Sequence, residues 1–180
     1  MIQADRLVFL DESGAQSNMT RLRGRSLVGE RLVAKVPWGH WKTSTMISAV
    51  RLTGPFASAV FDCPTDRDVF TAYVQQVLAP ALRAGDVVVM DNLAAHKVAG
   101  IEQAIEAVGA RVIYLPPYSP DYNPIENMWS KIKQRLRSLA PRSWEAICDA
   151  YGRALEDVTL EDCLGFFKNC GYARRNCSTH

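Results

Sequence analysis

The sequence has no apolar run near the ~18 residues that a membrane span requires, and no paired Cys-x-x-Cys spacing among its five cysteines. It carries no internal repeat, no low-complexity stretch and no linker-like segment. Its net charge is only +2. These absences, with an ordinary globular composition, exclude a membrane-spanning helix, a disulfide-stapled mini-protein and a disordered tail. The opening residues, Met1-Ile2-Gln3-Ala4-Asp5-Arg6, place charge where a secretory signal has its apolar stretch. A cytoplasmic location is expected, with reduced thiols at Cys63, Cys148, Cys163, Cys170 and Cys177. A length of 180 residues fits one domain able to bury its own core.

What the small net charge conceals is its distribution. Arg21, Arg23, Arg25, Arg31, Lys35, Lys42 and Arg51 are interrupted by a single acid, Glu30. Lys131, Lys133, Arg135, Arg137 and Arg142 are interrupted by none. Local basic stretches of this kind can hold phosphates even on a near-neutral molecule, although each alone also reads as a solvated surface.

The hydropathy pattern predicts an α/β layered sheet. Arg6–Glu12 reads as a short strand and Ser13–Glu30 as a polar loop. Arg31–Trp38 and Thr43–Leu52 read as strands joined in a hairpin by Gly39–Lys42, and Phe56–Phe61 follows as a further strand. Together these make an antiparallel meander. Thr65 and Asp68 are spaced as a capping box before a helix. Asp86–Met90 and Arg111–Leu115 are short apolar runs of the sort buried on both faces in a parallel sheet, with a helix across Val98–Val108 between them. Helices are expected over Pro124–Leu139, Ser143–Leu155 and Thr159–Asn169.

Three carboxylates stand out. Asp11 and Asp91 each close an apolar strand, and loops converge beyond the strand ends of open α/β sheets. A single aspartate there reads as a turn-former, whereas two in neighbouring strands point to a site. Glu126 has two readings. In Asn123-Pro124-Ile125-Glu126 it can complete a capping box with Asn123. It also heads a helical stripe, because Lys133 and Arg137 lie within about 20° of it at 100° per residue. An acid with two cations behind it suits a metal site beside a phosphate track. Lys131 and Arg135 fall on the opposite side and read as solvated. Three neighbouring carboxylates tolerate one another when divalent cations lie between them, and a pair of such ions serves in-line phosphodiester cleavage.

The segments Phe9-Leu10-Asp11-Glu12-Ser13, Met90-Asp91-Asn92-Leu93-Ala94-Ala95-His96 and Leu115-Pro116-Pro117-Tyr118-Ser119-Pro120-Asp121-Tyr122-Asn123-Pro124-Ile125-Glu126-Asn127-Met128-Trp129 together resemble the catalytic (DDE superfamily) domain of mariner-type transposases, especially the bacterial insertion-sequence branch. Thirty-four residues separate Asp91 from Glu126, a spacing typical of that group, and the resemblance runs from about Leu7 to Leu139. It implies a ribonuclease-H-like fold, with a mixed sheet flanked by helices. It implies that Asp11, Asp91 and Glu126 bind Mg²⁺ (Mn²⁺ as substitute), two ions, and catalyse cleavage at insertion-sequence ends. Joining of the freed 3′ hydroxyl to target DNA follows from the same likeness. Glu12 rivals Asp11, but alternation along a strand puts Asp11 on the face of Leu7 and Phe9 and Glu12 on the other.

Asn92 and His96 match the family pattern near the second acid; with Lys133, Arg137, Arg21, Arg23 and Arg25 they are the candidate DNA contacts. Trp38 and Trp41 can stack on bases, or pack within the expected hairpin. The chain reads as a single catalytic domain with a core over about 5–140 and C-terminal helices over about 143–170. No helix-turn-helix module precedes Asp11, so a separately encoded recognition half is an expected partner, beside DNA and a second copy in a synaptic homodimer. The competing classes are a general nuclease on the same fold and a non-catalytic DNA-binding relic.

Overall fold

The structure, a computed structural model, describes residues 3–92 and 99–172. Strands β1 (Leu7–Gln16), β2 (Thr43–Arg51), β3 (Gly54–Phe61), β4 (Val87–Met90) and β5 (Arg111–Tyr114) form one sheet in the order β3-β2-β1-β4-β5. The pairs β1–β2 and β2–β3 are antiparallel, whereas β1–β4 and β4–β5 are parallel. The helices are α1 (Arg67–Tyr73), α2 (Ala99–Ala107), α3 (Pro124–Leu139), α4 (Trp144–Glu156) and α5 (Leu160–Asn169). None of the described helices is long and apolar enough to cross a membrane.

The period-2 alternation of β1 and β4 divides the core in two. Leu7, Phe9, Val87 and Val89 pack with Ile125, Met128, Trp129, Ile132 and Leu136 of α3 and with α4 and α5. Val8, Leu10, Val88 and Met90 face the other way, toward Phe70 and Tyr73 of α1 and Ile101 and Ile105 of α2. Both faces are covered, which is why β4 reads as an uninterrupted apolar run. The apolar positions of α3 recur at helical spacing, and burying each contributes roughly 1.5–3 kcal/mol. Pro124 starts that helix at a position that needs no N–H. Ala140, in the left-handed region at φ 49°, ends it ahead of Pro141.

Four expectations are corrected. First, β1 does not stop at Glu12; it runs to Gln16 and pairs with β2 from Phe9↔Val50 to Gln16↔Thr43. Second, Arg31–Trp38 is not a strand. It belongs to an irregular connection between β1 and β2, where alternation alone cannot make a strand without a neighbour to accept its hydrogen bonds. Trp38 and Trp41 are therefore exposed rather than packed in a hairpin. Third, α1 is capped one residue later than expected: Asp66 Oδ1 accepts from the Val69 N–H at 2.9 Å. Fourth, Lys131 and Arg135 are not merely solvated. Lys131 pairs with Asp162 at the start of α5, and Arg135 with Asp157 at 2.8 Å, fastening α3 to the helices beside it.

Candidate active site

The sheet register brings two of the three acids side by side. The parallel pairing of β1 and β4 runs Leu7↔Val87, Val8↔Val88, Phe9↔Val89. Asp11 and Asp91 both lie two residues past the last of these pairs, at equal height on strands about 4.8 Å apart. Both also continue the parity of Leu7, Phe9, Val87 and Val89, so they belong to the face covered by α3. Glu12 continues the parity of Val8 and Leu10 and belongs to the opposite face.

The third acid arrives with α3. After β5 the chain turns through Leu115–Pro120 and a single tight turn over Pro120–Tyr122, then enters α3 at Pro124. Glu126 is the third helical residue, exposed, in the turn where the positive end of the helix dipole favours an anion. Asp11, Asp91, Asn92 and Glu126 line one cleft of about 370 Å³ with Asn123 and the loop Leu115–Pro120.

The capping reading of Glu126 fails locally. The Asn123 backbone N–H is given to the Pro120 carbonyl at 2.9 Å, so Glu126 has no reciprocal partner there. The Asn123 side chain makes no cap hydrogen bond. An asparagine cap ordinarily contributes about 1 kcal/mol, and here that contribution is forgone. The Asn123 amide oxygen is instead buried without a hydrogen-bond partner, as is that of Asn92. By contrast, Ser143 caps α4 through the Ala146 N–H, and Thr159 and Asp162 form a full capping box on α5.

The candidate DNA contacts are not all brought to the cleft. Asn92 lines it. Lys133 and Arg137 sit half-buried along α3 behind Glu126 and have no ion pair among the described residues. Arg21 donates to Ser138 Oγ at 2.8 Å, which ties the basic connection to the far end of α3. Arg142 donates to the carbonyls of Ser17 and Met19 and anchors the same connection at its root. Arg23 and Arg25 are exposed further along it. His96 lies outside the described residues, as do Cys177 and His180. Burial pushes the Cys163 thiol up to about 11, consistent with an inert packed cysteine.

Two cleft residues escaped sequence reasoning. Tyr118 holds a positive φ of 56° with its ring fully exposed at the rim, a backbone state that costs a non-glycine residue on the order of 1 kcal/mol. The proline-rich stretch marked a turn but not its strain. Asn123 read as an ordinary cap, because residue type alone does not reveal that the side chain declines the role.

A mixed five-stranded sheet of this order, with acids at two adjacent strand ends beneath a helix start and helices on both faces, is the ribonuclease-H-like fold of transposase catalytic domains. Within that class, the model of the DDE superfamily endonuclease family matches residues 6–148, and the chain belongs to this family. The fold is similar to that of the Mos1 transposase in its paired-end complex with the left transposon end, at TM-score 0.72 and 14% identity, covering 93% of this chain and 52% of that one. It is also similar to the Mos1 transposase catalytic domain with raltegravir and Mg, at TM-score 0.67 and 14% identity, covering 93% and 80%. The chain thus spans about half the length of the transposase in the paired-end complex. No curated protein matches it in sequence.

Divalent metal use goes with this family, and the cleft suits it. Its polar lining supplies oxygen donors of the hard type that Mg²⁺ and Mn²⁺ take, from Asp11, Asp91 and Glu126 and from the orphaned amide oxygens of Asn92 and Asn123. Among the described residues, no three acidic, histidine or cysteine side chains are grouped closely enough to share one ion.

Proposed function

We propose that this chain is the catalytic domain of a metal-dependent DNA transposase, with Asp11, Asp91 and Glu126 as its catalytic, metal-binding triad. The observation that carries this reading is the meeting of the three acids in one cleft, two by strand register and one by helix placement. Asp11 and Asp91 hold the cation side of the site from the rigid sheet, and Glu126 closes it from α3. Asp11, Asp91 and Glu126 would hold two Mg²⁺ ions, or Mn²⁺ in their place, and these when bound would activate a water and neutralise a leaving oxygen. In the first reaction water attacks a phosphorus at the insertion-sequence end and the 3′ oxygen departs as a hydroxyl. In the second, that 3′ hydroxyl attacks a target phosphodiester and a new strand end departs.

The DNA backbone follows the basic side chains. Lys133 and Arg137 continue from Glu126 down α3, and the Arg21–Ser138 contact extends the track to Arg23 and Arg25. These groups hold phosphates and read no bases. End recognition belongs to a separately encoded helix-turn-helix part, and the working form is a homodimer that brings two ends together. The apolar side chains exposed on the basic connection, among them Leu22, Leu27, Val28, Val33, Val36 and Trp38, support such an assembly.

The test supplies supercoiled plasmid and short duplexes with free 3′ hydroxyls in Mn²⁺. Nicking together with covalent joining of the duplex is expected from the wild type, and neither from Asp91→Asn. Nicking without joining makes the chain a general nuclease. Nicking that survives Asp91→Asn overturns the triad.

A further inference from the structure

Asn123 combines three features that local structure does not explain. It occupies the N-cap of a 16-residue helix with the residue type best suited to cap, and its side chain makes no cap hydrogen bond. It is only 5% exposed, and its Oδ1 is buried without a hydrogen-bond partner. It lines the cleft that contains Asp11, Asp91 and Glu126. A buried amide oxygen without a donor is unfavourable in the unloaded protein and becomes favourable once something supplies positive charge or a proton. The neighbouring Asn92 has the same feature in the same cleft.

We propose that Asn123 is a positioning residue of the cleft, its side-chain amide oxygen serving as a neutral acceptor for the hydrated divalent cation held by Asp91 and Glu126. The inference rests on the metal-cleft reading above and goes beyond the three acids. A neutral oxygen suits this place. A fourth carboxylate among three would add repulsion between like charges, whereas an amide carbonyl orders cation-bound water without it. Position supports the role as well. Asn123 is three residues from Glu126, and its carbonyl accepts the Glu126 N–H at 3.1 Å, so the two side chains move together with the start of α3. Residues that hold a ligand's water or orient a ligand typically change metal affinity 10–100-fold when removed.

The experiment measures Mn²⁺ binding by electron paramagnetic resonance of the free ion, alongside thermal unfolding with and without Mn²⁺. It uses the full chain, its Asn123→Ala, Asn123→Asp and Asp91→Asn variants, and no DNA. Asn123→Ala is expected to weaken Mn²⁺ binding about tenfold and to shrink the Mn²⁺-induced rise in Tm. Its metal-free Tm is expected to stay level or rise, because an unpartnered buried polar group has gone. Asn123→Asp is expected to recover the affinity, since it restores an oxygen acceptor, but to lower the metal-free Tm, since the added carboxylate repels the three acids beside it. An Asn123→Ala protein that melts several degrees lower yet binds Mn²⁺ as the wild type does would overturn the proposal and return Asn123 to a structural role. Equal Mn²⁺ binding by the wild type, Asp91→Asn and Asn123→Ala would overturn the metal cleft itself, and this proposal with it.

Discussion

Asp86 enters β4 and Asp91 leaves it, so four residues of one strand separate two aspartates in opposite circumstances. Asp86 is 2% exposed. Its Oδ2 accepts from the Arg51 guanidinium at 3.2 Å and from the Arg83 backbone N–H at 2.9 Å. Arg51 is itself buried and stacks over the Phe56 ring at 3.9 Å. Burial pulls the Arg51 pKa down and nearby Arg83 adds to this, while Asp86 opposes both. Asp91 instead opens into a cleft beside two more acids and the start of α3. One end of the strand neutralises its carboxylate inside the protein. The other opens on a cleft lined by two further acids, the arrangement on which the proposed function rests.

The contrast can be broken most forcefully from the cleft end. On the proposed function, Glu126→Gln lowers Mn²⁺-dependent nicking by more than the 10–100-fold typical of losing an outer-shell partner. Its Tm is expected to match the wild type, because the Asn123–Glu126 capping box is not formed. A clear fall in Tm with nicking retained would make Glu126 a structural residue after all. The opposite pattern is expected at the other end of β4. Asp86→Ala leaves Arg51 buried without its counter-ion, a change that costs about 3–5 kcal/mol. Urea denaturation measures it, with nicking per folded molecule unchanged. A loss below about 1 kcal/mol would show that the Arg51–Asp86 pair is not what holds this end of the sheet.

These two ends differ in how much of them the sequence discloses. Asp91 was legible because an acid closes an uninterrupted apolar run, and α3 because Pro124 and the spacing of Ile125, Trp129, Ile132 and Leu136 fix its start and its buried face. The same alternation that assigned Asp11 to the α3 face holds in the packing. Asp86 looked like a mere flank of the strand, since its partner Arg51 is 35 residues away and only the sheet brings them together. Two elements misled for related reasons. Arg31–Trp38 alternates like a strand but finds no neighbour, and Ser13-Gly14 looks like a loop but is held in β1 by pairing with β2. Nor does residue type disclose that Asn123 makes no cap hydrogen bond and leaves its amide oxygen buried without a partner.

The basic track offers a graded test of what the cleft end is for. If phosphates lie along α3, DNA affinity falls with salt, and each lost contact reduces the logarithmic slope by about 0.9. Replacing Lys133 and Arg137 together with alanine is expected to lower that slope by nearly 2, read by fluorescence anisotropy with duplex DNA across a salt series. Replacing Lys131 and Arg135 serves as the control, because both are engaged with acids of the neighbouring helical region. An unchanged slope for the first pair would remove them from the track.

The smallest effect concerns a carboxylate that resembles Asp86 in being paired and Asp91 in keeping some exposure. Hydrogen bonds from Lys131, then from the Thr159 backbone and hydroxyl, hold Asp162 down at about 2, below the usual aspartate value of 3.8. A depressed carboxylate stabilises the fold above its unfolded pKa, and that contribution disappears as pH falls through the folded value. Asp162 therefore contributes fully above about pH 4 and loses its contribution between about pH 4 and 2. Asp162→Asn keeps the shape but removes the charge, so its stability is expected to fall less steeply than the wild type's across that window. Its stability is also expected to lie slightly below the wild type's at pH 7. Urea midpoints at pH 7, 4, 3 and 2 measure both. Parallel acid limbs for the two proteins would mean that the α3–α5 contact is electrostatically silent, leaving the paired end of β4 as the better case of a carboxylate that serves the fold.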